Sequence, residues 1–285
     1  MIGGRFVLLE FILGSEDSLR PLPSRLMPRS HWRILHTPAA GGAQNMALDE
    51  ALMSRARETG EWTLRVYSWS RPTVSFGRNE AARRHYDPDR IRARGFSAVR
   101  RPTGGRAILH DREITYCVTA PVSDAGDLHA SYERINRLLV AGLARIGVDA
   151  RIAARETRGA TPGPAPCFNE PWAGELTLGG RKLAGSAQWR SNGAMLQHGS
   201  ILVEDDQSVL TRLRTDALSP IPAPATLAAA LGRAPSTEEL CEALASAVRE
   251  IEDPCAEPLF VDDELRAQAA SLIVHYEDDA WTWYR

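Results

Sequence analysis

Three strand-like stretches separated by two tight-turn signals occupy residues 175–203, and this arrangement limits the folds open to the chain. The stretches are Glu175–Leu178, Lys182–Trp189 and Ala194–Val203, with Gly179-Gly180 and Ser191-Asn192-Gly193 between them. Glycine and asparagine tolerate positive φ, so short turns of this composition join strands that pair antiparallel. The segment therefore predicts an antiparallel meander.

Helical patterns alternate with further strand patterns along the rest of the chain. Strands are predicted at 62–69, 73–76, 96–100, 114–119 and 148–153, and helices at 45–57, 127–146, 236–250 and 265–276. The longest helix carries apolar residues at helical spacing, which predict one core-facing stripe: Leu128, Tyr132, Ile135, Leu139, Leu143 and Ile146. Helices mixed with tightly joined strands predict an α/β fold of the mixed α+β kind, a mixed, largely antiparallel sheet flanked by helices.

Two helix starts carry capping signals. Asp87 precedes Pro88, the order expected when an N-cap carboxylate is followed by a proline in the first turn. Ser236 and Glu239 have the spacing of a capping box, in which each side chain bonds the backbone N–H of the other. Both signals fix where a helix is expected to begin.

Charge and cysteine usage narrow the class of protein. The net charge of −2 argues against wholesale nucleic-acid binding, although nine arginines between Arg78 and Arg106 make a local basic patch. Such a patch can dock an acidic partner or simply solvate a surface. No C-x-x-C pair, membrane-length apolar run or clear signal peptide is present, so a reducing cytoplasm is expected.

Cys167 and Lys182 lie on two segments rich in small residues, fifteen positions apart. A thiolate can carry an acyl group as a thioester, and a nearby ammonium can stabilise the thiolate and donate to the acyl carbonyl oxygen. The alternative is ordinary: a lone cysteine is usually a small buried hydrophobe, and a lone lysine a solvated surface charge. Cys117 and Cys241, in a predicted strand and helix, are expected to be buried and inert.

The segment Thr103-Gly104-Gly105 is a candidate cradle for a ligand. Two glycines let backbone N–H groups approach an anion or a carbonyl, and Arg100, Arg101 and Arg106 could add charge for a phosphate-bearing substrate. The competing interpretation is a plain hairpin turn with surface arginines.

Two histidines accompany this segment. His110 and Asp111 are adjacent on a predicted strand and should point to opposite faces, so His110 is expected to be a cavity wall or hydrogen-bond partner rather than half of a dyad. His198 alternates with apolar residues and could face the same cavity, or could be a satisfied core histidine.

Several of these segments together resemble the catalytic domain shared by biotin ligases, lipoate ligases and octanoyltransferases. The matching stretches are Asn45–Ala51, Arg100–Asp111, Gly180–Gln188, Gln197–Leu202 and Asp279–Trp281. Within that group the chain is most similar to the LipM-type octanoyl-[acyl carrier protein]:protein N-octanoyltransferases. Cys167 in Cys-Phe-Asn-Glu-Pro matches their nucleophile, and Arg106 replaces the third glycine usual in lipoate ligases. Pro171-Trp172-Ala173-Gly174-Glu175 departs from the family's Pro-Ser-Trp/Tyr-Glu-like stretch, which puts the acyl pocket near Cys167 in doubt.

The resemblance implies a ping-pong transfer without ATP or metal. Cys167 would take octanoate from octanoyl-acyl carrier protein and pass it to a lysine of a lipoyl-carrier domain, such as glycine cleavage H protein. Lys182 would be its catalytic partner. The substrate-binding residues implied are Arg101, Thr103, Gly104, Gly105, His110, Gly185, Ser186, Ala187 and His198.

The resemblance also implies a domain organisation and leaves two alternatives open. Residues 1–29 are expected to be an extension, either disordered or translated from a start codon assigned too far upstream, with a strand as the competing interpretation. Residues 30–285 are expected to form one biotin/lipoate ligase-like catalytic domain with a helical C-terminal part from about residue 206. The alternatives are an ATP- and Mg²⁺-dependent lipoate–protein ligase acting through lipoyl-AMP, with Cys167 incidental, and a non-catalytic binder of lipoyl domains or acyl carrier protein.

Overall fold

A computed structural model describes residues 30–153, 174–216 and 222–284. The expected extension at 1–29 lies outside the described residues. The strands are β1 (Trp32–His36), β2 (Trp62–Tyr67), β3 (Thr73–Phe76), β4 (Ser97–Arg100), β5 (Ile108–His110), β6 (Glu113–Pro121), β7 (Arg151–Ile152), β8 (Leu176–Leu178), β9 (Arg181–Ser191), β10 (Ala194–Leu202) and β11 (Glu257–Pro258). The helices are α1 (Gly42–Thr59), α2 (Ala82–His85), α3 (Pro88–Ala93), α4 (Val122–Ala125), α5 (Leu128–Arg145), α6 (Val209–Leu213), α7 (Leu227–Leu231), α8 (Thr237–Ile251), α9 (Asp263–Glu277) and α10 (Asp279–Thr282).

Eight strands form one large mixed sheet in the order β11-β1-β2-β6-β10-β9-β8-β7. The pairs β11–β1 and β1–β2 are parallel, and every other neighbouring pair is antiparallel. The predicted fold class is confirmed. The meander is confirmed as β8, β9 and β10, and its second turn places Asn192 at φ 49° and Gly193 at φ 81°, where these two residue types are tolerated.

Three short strands form a second sheet in the order β4-β3-β5. Strand β3 pairs parallel with β4 and antiparallel with β5. The segment 101–107 therefore connects the two outer strands across β3 instead of joining paired neighbours. The interpretation of Thr103-Gly104-Gly105 as a plain hairpin turn is wrong.

The predicted helix starts are present. The Asp87 carboxylate accepts from the backbone N–H of Asp89 at 2.8 Å and opens α3. The Ser236 hydroxyl accepts from the N–H of Glu239 at 3.1 Å and opens α8. The Glu239 carboxylate interacts in turn with the backbone N–H of Ser236, as a capping box requires, and also pairs with Arg233.

Helix α5 has the predicted apolar stripe except at its first residue. Ile135, Leu139 and Leu143 are fully buried, but Leu128 is 50% exposed. Leu128 opens the helix and lies beyond the part of the stripe that the core covers. The prediction was wrong at this end, since periodicity gives the direction of a side chain but not how far along the helix the neighbouring elements extend.

The two faces of the large sheet are covered by different helices. On one face, Tyr116 and Val118 belong to the core that includes Leu139 of α5 and Leu244 of α8. On the other face, Cys117 packs with Met53 of α1. Alternation along β6 thus separates an apolar core from the face that carries the candidate site. Within the described ranges, none of the helices combines the length and apolar character needed to cross a bilayer.

Candidate active site

A cavity lies between the large sheet, the small sheet and α1. Seven residues predicted to bind substrate line it: Arg101, Gly105, His110, Gly185, Ser186, Ala187 and His198. The other lining residues are Met46, Tyr67, Trp69, Ser75, Ile108, Thr115, Gly199 and Ser200. Thr103 and Gly104, the remaining two predicted residues, belong to the loop that borders it. The fold therefore brings segments far apart in sequence to one place.

The polar groups in the deep wall of the cavity bond to one another. The Glu113 carboxylate accepts from the hydroxyls of Thr115 at 2.8 Å and Ser200 at 2.7 Å, and lies 3.2 Å from His110 Nδ1. The Ser75 hydroxyl lies 2.8 Å from His110 Nε2. Because these groups satisfy each other, the surface left for a ligand is mostly apolar.

His110 is a wall residue, as predicted. Its ring stacks on Trp69 with centroids 4.0 Å apart and an interplanar angle of 17°. The Trp69 indole N–H donates to the Thr115 hydroxyl at 2.9 Å, which fixes the indole against the cavity. Asp111 is exposed, whereas the two ring nitrogens of His110 lie next to Glu113 and Ser75.

Two buried arginines hold the carbonyls around the glycine loop, defined here as residues 103–105. The Arg101 guanidinium donates to the carbonyls of Gly104 at 2.9 Å and Arg106 at 2.7 Å. The Arg100 guanidinium donates to the carbonyls of Gly77 at 2.7 Å and Glu80 at 2.9 Å. Arg100 and Arg101 are not the surface arginines of the hairpin interpretation, since they are 0% and 3% exposed.

The glycine loop turns its carbonyls towards hydrogen-bond donors of the protein and its amides the other way. The Thr103 carbonyl accepts from Arg78 N–H at 2.7 Å, and the Gly104 carbonyl accepts from Arg101. In a trans peptide the next N–H points the opposite way, so the Gly104 and Gly105 amides face away from these donors. Among residues 30–153, 174–216 and 222–284, neither amide has a hydrogen-bond acceptor.

Two glycines make the position of this loop possible. Gly105 has φ 93°, and a Cβ there would lie 2.8 Å from the Arg101 guanidinium. Gly77, directly after β3, has no room for a Cβ either, because the Gly105 carbonyl oxygen would lie 2.0 Å away. Sequence reasoning missed the role of Gly77. A glycine at the end of a strand was visible, but the close approach of a second segment was not.

Lys182 is buried in β9 and paired with a carboxylate. Its Nζ lies 2.7 Å from Glu175 Oε1, and the lysine is 2% exposed. The Glu175 backbone is held by Ala153, whose N–H donates to the Glu175 carbonyl at 2.8 Å. A register shift at Leu176/Thr177 accompanies this pairing. The interpretation of Lys182 as a solvated surface charge is wrong, and sequence reasoning missed Glu175 as its partner. Cys167, the predicted nucleophile, lies outside the described residues.

His198 faces the cavity and is also hydrogen bonded, so both interpretations of it hold. Its Nε2 lies 2.6 Å from the Thr103 hydroxyl, and its Nδ1 lies 3.1 Å from Asp49 Oδ2. Asp49 is paired in turn with the Arg65 guanidinium at 2.7 Å. Asp49 and Arg65 were not singled out in the sequence as site residues, although Asp49 lies in one of the stretches that carry the resemblance.

The cysteines of the described part of the chain are structural or peripheral. Burial raises the pKa of Cys117 well above its ordinary value, and burial raises the pKa of Cys241 to about 11. Both thiols are buried, as predicted, and their raised pKa keeps them protonated at neutral pH. Cys255 is exposed and lies outside the cavity.

The chain is similar to known proteins over most of its length. Residues 42–249 match the family described as the lipoyl protein ligase A/B catalytic domain. Octanoyltransferase LipM of Kyrpidia tusciae is 40% identical over 270 residues, which cover 88% of this chain and 98% of that protein. Octanoyltransferase LipM of Symbiobacterium thermophilum is 42% identical over 233 residues, covering 76% and 85% of the two chains.

Solved structures of lipoate ligases share the fold. A bipartite lipoate protein ligase from Thermoplasma acidophilum has a TM-score of 0.69 at 21% identity, covering 89% of this chain and 96% of that one. Lipoate-protein ligase A bound with ATP has a TM-score of 0.70 at 22% identity, covering 90% and 98%. At this identity the likeness shows the fold alone, whereas the sequence matches extend over nearly whole relatives. The chain belongs to the octanoyltransferase LipM family of acyltransferases, built on the lipoyl protein ligase A/B catalytic domain.

Proposed function

We propose that this chain transfers an octanoyl group from octanoyl-acyl carrier protein to a lysine of a lipoyl-carrier domain in lipoate assembly. Glycine cleavage H protein is the proposed acceptor, and the cytoplasm is the proposed compartment. The observation that carries the proposal is the cavity beside the glycine loop, whose polar lining groups bond to each other. A saturated acyl chain binds well to a wall of this kind. Each buried methylene contributes about 0.8 kcal/mol to binding, and the polar groups of the wall keep their hydrogen-bond partners when the chain displaces water.

The proposed first half-reaction forms a thioester on Cys167. The Cys167 thiolate attacks the carbonyl carbon of octanoyl-acyl carrier protein, a new C–S bond forms, and the thiolate of the carrier leaves. Lys182 is proposed to supply the cation that stabilises thiolate and oxyanion. Its support is the buried pair with Glu175, which holds the ammonium in one position.

The proposed second half-reaction releases the thioester. The acceptor lysine, as a neutral amine, attacks the acyl carbon and the C–N bond forms. The C–S bond breaks, the Cys167 sulfur leaves, and the proton that the amine loses restores the Cys167 thiol. The Gly104 and Gly105 amides are the proposed donors to the carbonyl oxygen in both steps, because they point away from the arginines and have no described acceptor. His110, Arg101, Gly185, Ser186, Ala187 and His198 are proposed to line the acyl site with Thr103 behind them.

Residues 30–285 are proposed to act as one catalytic domain. The C-terminal helices contact the site region: α9 packs on α1, and the Trp281 indole N–H donates to the Arg100 carbonyl at 3.0 Å. Arg100 immediately precedes Arg101, which holds the glycine loop. The C-terminal part therefore supports the loop as well as the core.

The test is intact-protein mass spectrometry after mixing the full chain with octanoyl-acyl carrier protein and no ATP. We expect one hydroxylamine-labile octanoyl adduct, its loss in Cys167→Ala, and its retention in Cys255→Ala, the matched exposed cysteine. Adding glycine cleavage H protein should move the octanoyl group to a lysine of that protein.

Three outcomes would overturn the proposal in different ways. Modification of a lipoyl domain only when lipoate, ATP and magnesium are supplied would identify a ligase and make Cys167 incidental. Stable binding of the carrier proteins without any turnover would identify a binding protein. A C167A protein that transfers octanoate at the wild-type rate would remove the thioester from the mechanism.

A further inference from the structure

Asp49, His198 and Thr103 form a buried chain of hydrogen bonds across three elements. Asp49 lies on α1, His198 on β10, and Thr103 opens the glycine loop. The Asp49 and Thr103 residues are fully buried and His198 is 5% exposed. The bonds measure 3.1 Å between Asp49 Oδ2 and His198 Nδ1, and 2.6 Å between His198 Nε2 and Thr103 Oγ1.

The charges around Asp49 decide which imidazole nitrogen carries the proton. Burial alone would raise the pKa of Asp49, but Arg65, His198 and Tyr67 hold it below its ordinary value. An ionised carboxylate only accepts hydrogen bonds, so His198 Nδ1 must be the donor to it. Burial lowers the pKa of His198 despite the opposing effect of Asp49, so the ring is neutral at neutral pH.

A neutral ring protonated on Nδ1 leaves Nε2 as an acceptor. The Thr103 hydroxyl must then be the donor in the 2.6 Å bond. This bond ties the glycine loop to β10, while the Thr103 carbonyl is held by Arg78 N–H at 2.7 Å. Side chain and carbonyl of Thr103 together fix the peptide that carries the Gly104 N–H.

We propose that Asp49 and His198 are positioning residues that act through Thr103 to hold the Gly104 and Gly105 amides where they meet the acyl carbonyl oxygen. Asp49 determines the tautomer of His198, and His198 determines the direction in which the Thr103 hydroxyl donates. Thr103 in turn fixes the position of the glycine loop. The effect on catalysis rests on the function proposed above, while the tautomer and the loop position are properties of the chain itself. A carboxylate that hydrogen bonds to one nitrogen of a neutral histidine commonly fixes the tautomer and orientation of the ring in functional sites.

The matched pair Thr103→Val and Thr103→Ser tests the hydroxyl without touching the buried charges. Valine removes the donor at nearly constant shape, and serine keeps it. We expect T103V to lower kcat for octanoyl transfer by about 10- to 100-fold at a similar KM for octanoyl-acyl carrier protein. T103S should stay within about threefold of the wild type. A T103S protein as slow as T103V would overturn the proposal, because packing of the methyl group would then be the cause.

Nitrogen-15 NMR of the full-length protein tests the hydrogen bonds that join Asp49, His198 and Thr103 without any activity measurement. The His198 signals, identified by their loss in His198→Gln, should show hydrogen on Nδ1 in the wild type and on Nε2 in Asp49→Asn, whose amide can donate to Nδ1. The Gly104 and Gly105 amide signals should move in T103V and stay in place in T103S. A wild-type ring protonated on Nε2, or amide signals unmoved in T103V, would overturn the proposal.

The two readouts separate this inference from the proposed function. If the wild-type protein does not transfer octanoate, the proposed function is refuted. The His198 tautomer and the amide signals would still show whether Asp49, His198 and Thr103 hold the glycine loop. Asp49→Asn also leaves Arg65 without its carboxylate and could fail to fold, which is why the Thr103 pair carries the loop test. Normal transfer by T103V with shifted amides would show that the loop moves without consequence, and would overturn the catalytic role.

Discussion

Substituting alanine for Gly77 would displace the glycine loop by an amount that the structure fixes. A Cβ at Gly77 would lie 2.0 Å from the Gly105 carbonyl oxygen and 2.8 Å from the carbonyl carbon. Real Cβ contacts essentially never fall below 3.0 Å, so the two segments must separate by about 1 Å. The obstacle is backbone on both sides, and no side-chain rotation can relieve it.

This displacement should lower activity more than stability. Forcing extra volume into a packed site costs about 1–3 kcal/mol of unfolding free energy. A shift of about 1 Å in a group that positions substrate can reduce the rate about 100-fold. We therefore expect Gly77→Ala to fold, to unfold at lower denaturant concentration, and to transfer octanoate about 10- to 100-fold more slowly.

The assay is single-turnover transfer from octanoyl-acyl carrier protein, followed by mass spectrometry, with urea unfolding on the same samples. Gly41→Ala is the matched control, since its Cβ would meet only the Gln44 side chain, whose amide oxygen lies 2.4 Å away, and a flexible side chain can rotate away. The reasoning is refuted by a G77A protein with wild-type rate and stability. It is equally refuted if Gly41→Ala loses as much activity.

Three further outcomes are expected. Arg65→Met should lower the unfolding free energy by about 3–5 kcal/mol, because it leaves Asp49 buried without its cation. Arg112→Met, at an exposed ion pair, should change it by less than about 1 kcal/mol, and urea unfolding measures both. Trp69→Leu removes the indole that stacks on a lining ring and should raise the rate with acyl chains longer than octanoyl relative to octanoyl, as competition between donors would show. Burial lowers the pKa of His198, so below pH 6.5 the unfolded chain binds a proton at this residue that the folded chain does not. The unfolding free energy should therefore fall as the pH is lowered from 6.5, by up to about 1.4 kcal/mol per pH unit, and His198→Gln should lack this contribution.

Local patterns predicted the elements of this fold well where the signal was periodic or where a turn needed a special residue. The meander came from Gly179-Gly180 and Asn192-Gly193, whose positive φ values are seen in the structure. Capping residues placed the starts of α3 and α8. The small sheet could not be separated from the large one in advance, because its strands have only three or four residues each. Which strands pair across such short lengths depends on packing between distant segments.

The candidate site was predictable in its parts and not in its connections. The glycine loop, Lys182, His110 and His198 were identified by residue type and spacing. Their partners were not, since the pairs Lys182–Glu175 and His198–Asp49 form only when strands take their final register and α1 docks on the sheet. Sequence shows which groups a chain has. The distance between two of them depends on the whole fold.

The arginines near the glycine loop show how much of a side chain's role depends on what the fold places around it. A run of arginines beside glycines favours a phosphate site on the surface. Here Arg100 and Arg101 are buried and bond to backbone carbonyls, so each cation orients peptide groups. The C=O and the following N–H of a trans peptide point in opposite directions. A guanidinium that binds the carbonyls on one side of the loop therefore leaves the amide N–H groups pointing to the other side. The Gly104 and Gly105 amides are then the dipoles that a carbonyl ligand would meet, and Lys182 is the buried cation proposed to act with them.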